Sequence, residues 1–304
     1  MRILDCTAGE KKHLGACVAT VGNFDGIHRG HAELFRQLKD RGARLCVPTV
    51  VVTFDPHPLA VLAPQSKPAL ITSFSQKAKL VEQAGIDCLA VISFTREFSR
   101  LPAESFVHSY LCKQLGMRHM IIGHDYAFGR DRSGNYDTLS GMGLECGYSV
   151  ESLRPVGEGS GRIYSSTLVR RLVSAGDMRG AATVLGRDFS IPGRMAHGST
   201  RGSRAGSQAV RLVPENDLIP LDGAYSVRVS LSDRQVKGIC WVERNRGMEL
   251  VLQDPAARLH RGGVTVRFCR RLGSLMEHRN PETYPERSRE FLPMGREALL
   301  GCAG

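Results

Sequence analysis

The stretch that decides the fold is GNFDGIHRGH, residues 22–31. It follows an apolar run, Cys17–Val21, that is typical of a buried strand, and it leads into His31–Asp40, whose apolar residues share one side of a helix. Glycines in such a turn let the backbone bend tightly and approach a ligand without a Cβ in the way. A helix start presents unpaired N–H groups, which favour anions. The stretch therefore predicts a strand, a turn and a helix that together bind an anionic group.

The chain around this stretch alternates short apolar runs with amphipathic segments up to about Gly186, which is typical of parallel strands joined by helices. The predicted strands are Cys17–Val21, Val47–Phe54, Cys88–Phe94 and His119–Gly123, and the predicted helices are His31–Asp40 and Pro102–Leu115. This half of the chain is predicted to be an α/β domain with a parallel sheet.

The second half has a different composition. Gly, Ser and Arg crowd the segment Ile191–Ser207, and short alternating runs follow at Tyr225–Leu231 and Val264–Phe268. This pattern indicates a β-barrel or a sandwich. We place the boundary between two domains, residues 1–186 and residues 187–304, and expect poor order in the Glu-, Arg- and Pro-rich tail after Leu272.

The charge and aromatic content of the chain indicate which class of binding partner it has. Forty-one Lys and Arg against 30 Asp and Glu give a net charge of +11, which favours an anionic partner. Nucleic acid is disfavoured because the basic residues form no run and aromatic residues are only 6% of the chain. A polyphosphate substrate accounts for the charge equally well.

Targeting and cysteine signals indicate a cytoplasmic protein. The first twelve residues lack the apolar run of a secretory signal, and no stretch reaches the roughly 18 apolar residues of a membrane span. The nine cysteines are scattered, odd in number and without a CxxC pair, so neither a zinc site nor a disulfide framework is indicated.

His28 and His31 are the candidate catalytic residues of the first helical turn. Three residues apart, they are expected to project from the same side of the helix. Imidazoles there can donate hydrogen bonds to phosphate oxygens, or carry positive charge as negative charge builds on a transferring phosphate. The alternatives are a solvated helix start, or a zinc pair that has no third ligand at an obvious spacing.

Two further segments extend the candidate site. Ser165 and Ser166 precede an amphipathic helix that carries Arg170 one turn in, so they cap that helix or cradle phosphates. The loops Phe54–Pro58 and Gly123–Gly129 each follow a predicted strand, at the sheet edge where α/β proteins bind ligands.

These segments, in this order, resemble the bacterial FAD synthetases, in which an FMN adenylyltransferase module precedes a riboflavin kinase module. The family signature GNFDGxHxGH stands complete at residues 22–31. It is supported by TFDPHP at 53–58, a GxDxxFG-like loop at 123–129 and SSTxxR at 165–170. The resemblance covers roughly Ala16–Arg187, and four motifs in order are far harder to meet by chance than one.

The resemblance implies a Rossmann-like nucleotidyltransferase fold followed by a smaller riboflavin kinase-like barrel. It implies that ATP and FMN are the substrates and FAD the product, with Mg²⁺ accompanying ATP and bound chiefly through phosphates and water. The implied catalytic residues are His28, His31 and Arg170. The implied ATP-binding residues are Gly22, Asn23, Phe24, Asp25, Gly30, Ser165, Ser166 and Thr167. The implied flavin-binding residues are Phe54, Pro56, His57, Pro58, Asp125, Tyr126 and Phe128. No protein ligand for a metal is implied.

The second module departs from the family pattern. Arg194–Gly202 resembles the start of the kinase barrel, but the family's GFPTAN segment is replaced by GSQAVR at residues 206–211. Ala209 stands at the expected Thr and Arg211 at the expected Asn, and neither side chain can coordinate Mg²⁺. Glu249 falls roughly where the family has its catalytic base. We therefore predict a barrel with little or no kinase activity.

Three alternatives remain at the level of sequence. The first is a bifunctional kinase and adenylyltransferase that tolerates the altered segment. The second is a non-catalytic flavin- or RNA-binding regulator that reuses the fold. The third is an adenylyltransferase for another acceptor, such as nicotinamide mononucleotide or pantetheine phosphate, against which the FDPHP and Asp125–Phe128 segments argue.

Overall fold

The computed structural model describes residues 1–6, 14–159, 161–202, 208–231, 234–243, 247–254 and 263–274. The chain divides into two compact units. The first comprises Met1–Leu172, Gly180–Arg187 and Asn216–Leu218, and the second comprises Val173–Arg179, Asp188–Glu215 and the described residues from Ile219 onward. The assignment of residues 1–186 and 187–304 to two functional modules stays a prediction. Beyond Ser274, the predicted tail lies outside the described residues.

A six-stranded parallel sheet organises the first unit. Its strands are β1 (Arg2–Asp5), β2 (Cys17–Val21), β3 (Thr49–Asp55), β4 (Cys88–Ser93), β5 (Met117–Gly123) and β6 (Ser149–Leu153). Their spatial order is β1-β4-β3-β2-β5-β6, and each neighbouring pair is parallel. The predicted α/β class with a parallel sheet is confirmed.

The central strands are buried on both faces, which is why their sequences are continuous apolar runs rather than alternating ones. All five residues of β2 are buried. Val18 and Val51 pack into one hydrophobic cluster with Leu38 of the first helix, whereas Ala19 and Val50 pack into a second cluster on the opposite face. These two clusters fix the sheet between its helical layers.

The helices that the sequence predicted are present but differ in extent, and four other α-helices among the described residues were not predicted. They are α1 (Arg29–Leu45), α2 (Pro58–Leu62), α3 (Phe74–Gln83), α4 (Ala103–Phe106), α5 (Tyr136–Cys146), α6 (Ser166–Ser174) and α7 (Met178–Leu185). The single helix predicted over Pro102–Leu115 is wrong in detail, because α4 continues as a π-helix over Val107–Gln114. Among the described residues, no helix is both long and apolar enough to cross a bilayer.

The edge strands β1 and β6 were not predicted from the sequence. β1 is the tetrapeptide RILD, only one of whose residues is buried, and β6 has no fully buried residue. Edge strands carry a weak apolar pattern because one side of each is unpaired, so composition does not reveal them.

The second unit contains a closed antiparallel barrel. Its strands are β7 (Phe189–Gly202), β8 (Gln208–Pro214), β9 (Gly223–Ser230), β10 (Gln235–Glu243), β11 (Gly247–Leu252) and β12 (Val264–Gly273). The spatial order is β10-β11-β8-β7-β12-β9. Alternating residues such as Tyr225, Val227 and Val229 fill the interior. The predicted barrel is confirmed, and closure removes the exposed sheet edges.

Candidate active site

The candidate site lies at the carboxyl end of the parallel sheet, where the strand order reverses. From β2 the chain moves outward through β3 and β4, then returns to place β5 on the other side of β2. Such a reversal leaves a crevice at the strand ends, where open α/β sheets bind ligands. The turn after β2 begins at Gly22, and the loop after β5 begins at His124, so both segments border this crevice.

The turn between β2 and α1 has an unusual backbone. Phe24, Gly26 and Ile27 have positive φ angles of 46°, 84° and 39°. Gly26 donates its N–H to Thr72 Oγ1 at 3.1 Å, and a Cβ on it would lie 2.9 Å from the side chain of Ile71. Only a glycine meets both the conformation and the space at this position.

His28 and His31 lie against each other at the start of α1. Their rings stack with centroids 3.7 Å apart and an interplanar angle of 22°. The prediction that they share one side of the helix start is confirmed. His28 is only 6% exposed, and the rings of His31 and Phe24 meet edge-to-face with centroids 5.2 Å apart. Within the described part of the chain, the buried Nδ1 atoms of both rings have no hydrogen-bond partner.

Burial keeps both imidazoles neutral in this structure. It lowers the pKa of His28 from 6.5 to about 4, aided by the cationic Arg187 and opposed by Asp25 and Asp125. Burial also lowers the pKa of His31 well below 6.5, aided by His28, Lys77 and Arg187. The two rings are therefore neutral hydrogen-bonding groups at neutral pH, whereas the sequence alone had left a cationic form open.

The starts of α1 and α6 adjoin. A Cβ on Gly30 would lie 3.1 Å from the ring of His28 and 3.6 Å from the carbonyl oxygen of Tyr164, the residue two positions before α6. The Ser166 hydroxyl donates to the Asp25 carbonyl oxygen at 2.8 Å. The two histidines and the serine-rich helix start are thus brought together, as the sequence predicted.

The three hydroxyl residues at the start of α6 have different surroundings. The Ser165 hydroxyl caps the helix by accepting from the Leu168 N–H at 3.2 Å. Ser166 is held by the turn, as described above, and Thr167 is exposed. Capping accounts for Ser165 and the bond to the turn accounts for Ser166, while Thr167 lies at the surface.

Asp25 and Arg170 bind each other. Arg170 donates from Nη2 to Asp25 Oδ2 at 2.6 Å and from Nε to the Ala69 carbonyl oxygen at 2.9 Å. Asp25, 4% exposed, also accepts from the backbone N–H groups of Ile71 and Thr72 at 3.0 Å. The pair therefore clamps residues 69–72 against the turn. Two donors of Arg170 are used inside the protein.

The remaining residues of the turn divide by exposure. The Phe24 side chain is buried and packs on Phe35, so its ring belongs to the core rather than to an open surface. Asn23 is exposed, and its carbonyl oxygen accepts from the Thr53 hydroxyl at 3.3 Å. Gly22 is half-buried directly after β2.

The Phe54–Pro58 loop closes the end of β3. Phe54 is half-buried and meets Phe94 edge-on, with centroids 5.6 Å apart. Pro56 is exposed, whereas His57 accepts the Leu59 N–H on Nδ1 and so caps α2, which begins at Pro58. Burial lowers the pKa of His57, and Asp25 opposes that shift.

The Asp125–Phe128 loop contributes one exposed and two enclosed side chains. Asp125 is exposed, and its charge opposes the lowering of the pKa of His28. Tyr126 and Phe128 stack with centroids 5.3 Å apart, and Phe128 packs on Phe106 in the core. The Tyr126 hydroxyl is buried and has no partner among the described residues.

Two cationic residues at the site, Arg187 and Lys77, were not predicted from the sequence. Arg187 donates from Nη1 to the Ile27 carbonyl oxygen at 2.7 Å and from Nη2 to the Gly26 carbonyl oxygen at 2.5 Å. Lys77 of α3 donates from Nζ to Thr53 Oγ1 at 3.2 Å. Neither residue lies in a recognisable motif. Lys77 follows His28 by 49 residues and Arg187 lies at the predicted domain boundary, so no local pattern connects either of them with the turn.

The described His, Cys, Asp and Glu side chains of the site are not arranged as metal ligands. Across the described ranges, no group of three or more His, Cys, Asp and Glu side chains is placed to hold a metal ion. These residues do not form a protein cage for Mg²⁺, which prefers several oxygen ligands in octahedral geometry.

Comparisons with known proteins agree with this geometry. A family model described as FAD synthetase matches residues 10–167, and one described as riboflavin kinase matches residues 185–282. A Pseudomonas fluorescens protein named bifunctional riboflavin kinase/FMN adenylyltransferase is 34% identical over 269 residues, which cover 86% of each chain. An Escherichia coli strain K12 protein of the same name is 34% identical over 224 residues, which cover 73% of this chain and 71% of that one.

One solved structure is similar along nearly the whole chain. It is described as a macrolide-efflux protein from Streptococcus pneumoniae, with a TM-score of 0.79 and 23% identity. The match covers 96% of this chain and 97% of that one. At this identity the similarity shows the fold alone.

Proposed function

The chain belongs to the FAD synthetase family, and from that premise we propose that it joins the AMP part of ATP to FMN, forming FAD and releasing pyrophosphate. The observation that carries the proposal is the meeting of the stacked His28–His31 pair with the start of α6 at the sheet reversal. Neutral imidazoles, helix N–H groups and hydroxyls at one crevice are suited to holding a polyphosphate.

The reaction needs positioning rather than a covalent intermediate. An oxygen of the FMN phosphate attacks the α-phosphorus of ATP, and the bond from that phosphorus to the bridging oxygen of the β-phosphate breaks. The electron pair leaves with pyrophosphate, so no proton or electron acceptor is required. Negative charge rises on the transferred phosphate and on the leaving group, and preorganised donors stabilise it.

In this proposal the histidine pair supplies donors to the phosphates. Both rings carry a nitrogen without a protein partner, an arrangement that normally costs about 1–3 kcal/mol for a buried group and needs a reason. A bound triphosphate supplies that reason. Its negative charge also opposes the desolvation that lowers the pKa of each ring, so binding favours proton uptake by the pair.

Arg170 has a positioning role in this proposal rather than direct contact with the reacting atoms. Its bonds to Asp25 and to the Ala69 carbonyl oxygen hold the turn and residues 69–72 together. Asp25, as the partner of Arg170, likewise acts on the ATP side by holding the turn in place. ATP carries Mg²⁺ through its own phosphates and water in this scheme, and no step is assigned to the ion.

FMN is placed on the side of the crevice formed by the loops after β3 and β5. The exposed Pro56 and Asp125 and the half-buried Phe54 and Tyr126 offer flat and polar surfaces for a flavin ring. Phe128 is packed in the core, and its ring stacks on that of Tyr126.

For the barrel we propose weak or absent riboflavin kinase activity. Ala209 and Arg211 replace the residue types that serve an ATP–magnesium site in the family pattern, and the Arg211 side chain is exposed. The side chains of Gln208 and Ala209, and residues 206–207 entirely, lie outside the described residues. Glu249 lies between the buried Met248 and Leu250 on β11, so strand alternation places it on the outer face of the barrel.

The bifunctional enzyme is the second candidate, and specific observations favour it. The riboflavin kinase family model matches residues 185–282, and the relatives named above carry both activities in their names. Under that alternative the altered 206–211 segment is tolerated.

One experiment tests both candidates. Purified protein is incubated with ATP and Mg²⁺ and either FMN or riboflavin, and FMN, FAD and pyrophosphate are quantified. We expect FAD and pyrophosphate in equal amounts from FMN, and little product from riboflavin. No FAD from FMN would refute the adenylyltransferase, and rapid FMN formation from riboflavin would establish the bifunctional enzyme. Nicotinamide mononucleotide and pantetheine phosphate serve as control acceptors.

A further inference from the structure

Lys77 points its ammonium group toward the signature turn. It lies in the first turn of α3, whose start is fixed by a capping box between Ser73 and Gln76. Its Nζ donates to the hydroxyl of Thr53, a fully buried residue near the end of β3. That hydroxyl in turn donates to the Asn23 carbonyl oxygen at 3.3 Å. A chain of two hydrogen bonds therefore connects the ammonium to the turn that carries the histidine pair.

The ammonium group has no ion-pair partner among the described residues. The nearby carboxylate of Asp25 is already engaged by Arg170 and by the backbone of residues 71–72. Asp55, whose charge also acts on Lys77, is exposed and lies beyond ion-pair distance. One neutral hydroxyl satisfies only one of the three ammonium donors.

Burial makes this arrangement costly. It lowers the pKa of Lys77, although Asp25 and Asp55 oppose the shift. Half-buried lysines normally pair with a carboxylate or extend the ammonium into water. Lys77 has no carboxylate partner within the described structure, and its charge helps to lower the pKa values of both His31 and His57. Its hydrogen bond to Thr53 places the ammonium beside the turn that carries the histidine pair.

We propose that Lys77 is a phosphate-binding residue of the site, whose ammonium group contacts the phosphate being transferred. The inference rests on the proposed function, because it supposes that the crevice holds a polyphosphate. Charge-assisted hydrogen bonds from Nζ to phosphate oxygens would satisfy the two remaining donors. They would also set a full positive charge beside the histidine pair, where negative charge rises during transfer.

The first test measures binding of an inorganic probe, independently of any product. Tripolyphosphate affinity is determined by calorimetry for the wild type, Lys77→Gln and Lys79→Gln. Glutamine keeps a donor for Thr53 but removes the charge. Lys79, exposed two residues further on α3, controls for the loss of net charge. We expect Lys77→Gln to weaken binding at least about tenfold and Lys79→Gln to change it less than about twofold.

The second test measures FAD formation. We expect Lys77→Gln to lower kcat/KM by about 100-fold or more, mostly through kcat, and Lys77→Arg to recover a large part of it. Lys77→Met replaces Lys77→Gln if the latter does not fold. Unchanged tripolyphosphate affinity together with kcat/KM within about threefold of the wild type would overturn the role of Lys77.

The outcomes separate the two proposals. If the wild type makes no FAD but binds tripolyphosphate through Lys77, the adenylyltransferase fails and the anion site stands. If the wild type makes FAD and the Lys77 variants match it in both tests, the adenylyltransferase stands and the inference fails.

Discussion

Replacing His28 by glutamine should make the protein less sensitive to acid. In the folded protein His28 is 6% exposed, and burial lowers its pKa from 6.5 to about 4. An unfolded chain binds the proton near pH 6.5, so acid favours unfolding. Because the folded pKa is the lower one, the full free energy of unfolding is present above about pH 7 and is lost as the pH falls from 6.5 toward 4.

The size of the effect follows from that difference. The pKa change from 6.5 to about 4 corresponds to about 3.4 kcal/mol of unfolding free energy once the pH is below both values. At about pH 5 the loss is about 2 kcal/mol. Glutamine does not titrate. Between about pH 7 and about pH 5, the free energy of unfolding of His28→Gln should therefore fall by about 2 kcal/mol less than that of the wild type.

The assay is urea unfolding at both pH values, followed by far-ultraviolet circular dichroism. This signal reports the helices α1 to α5 of the first unit, whereas the single tryptophan, Trp241, lies in the barrel. His108→Gln is the matched control, because it makes the same substitution at an exposed histidine outside the buried pair. Equal losses in the wild type and in His28→Gln would refute the burial of a neutral imidazole.

Three further substitutions test the site. His31→Ala should lower the rate of FAD formation by roughly two to four powers of ten, the effect of losing a preorganised donor; an unchanged rate would remove His31 from the mechanism. Arg170→Ala should cost about 3–5 kcal/mol in urea unfolding, because Asp25 keeps a buried charge without its cation; a cost below about 1 kcal/mol would show that the ion pair is not buried in solution. Gly26→Ala should destabilise the protein by about 1–3 kcal/mol in thermal unfolding, because its φ is 84° and its Cβ would press on Ile71; a variant as stable as the wild type would contradict that backbone conformation.

The amino-acid sequence alone determined the local architecture. Apolar runs and amphipathic segments predicted β2 to β5 and α1, and the change to short alternating runs predicted the barrel. The spacing of His28 and His31 predicted that their rings share one side of a helix start. These inferences hold because strand and helix periodicity, turn glycines and capping serines act over a few neighbouring residues.

Only the tertiary structure decided which distant residues complete the site. Asp25 meets Arg170 across 145 positions of sequence, and Arg187 reaches the turn across 160. Lys77 reaches the site from α3, and no sequence motif marks it as a site residue. The neutral state of the histidines was likewise beyond sequence reasoning, since spacing does not reveal burial. Such contacts depend on how helices pack on the sheet, and the free energy of that packing is shared among residues far apart in the chain.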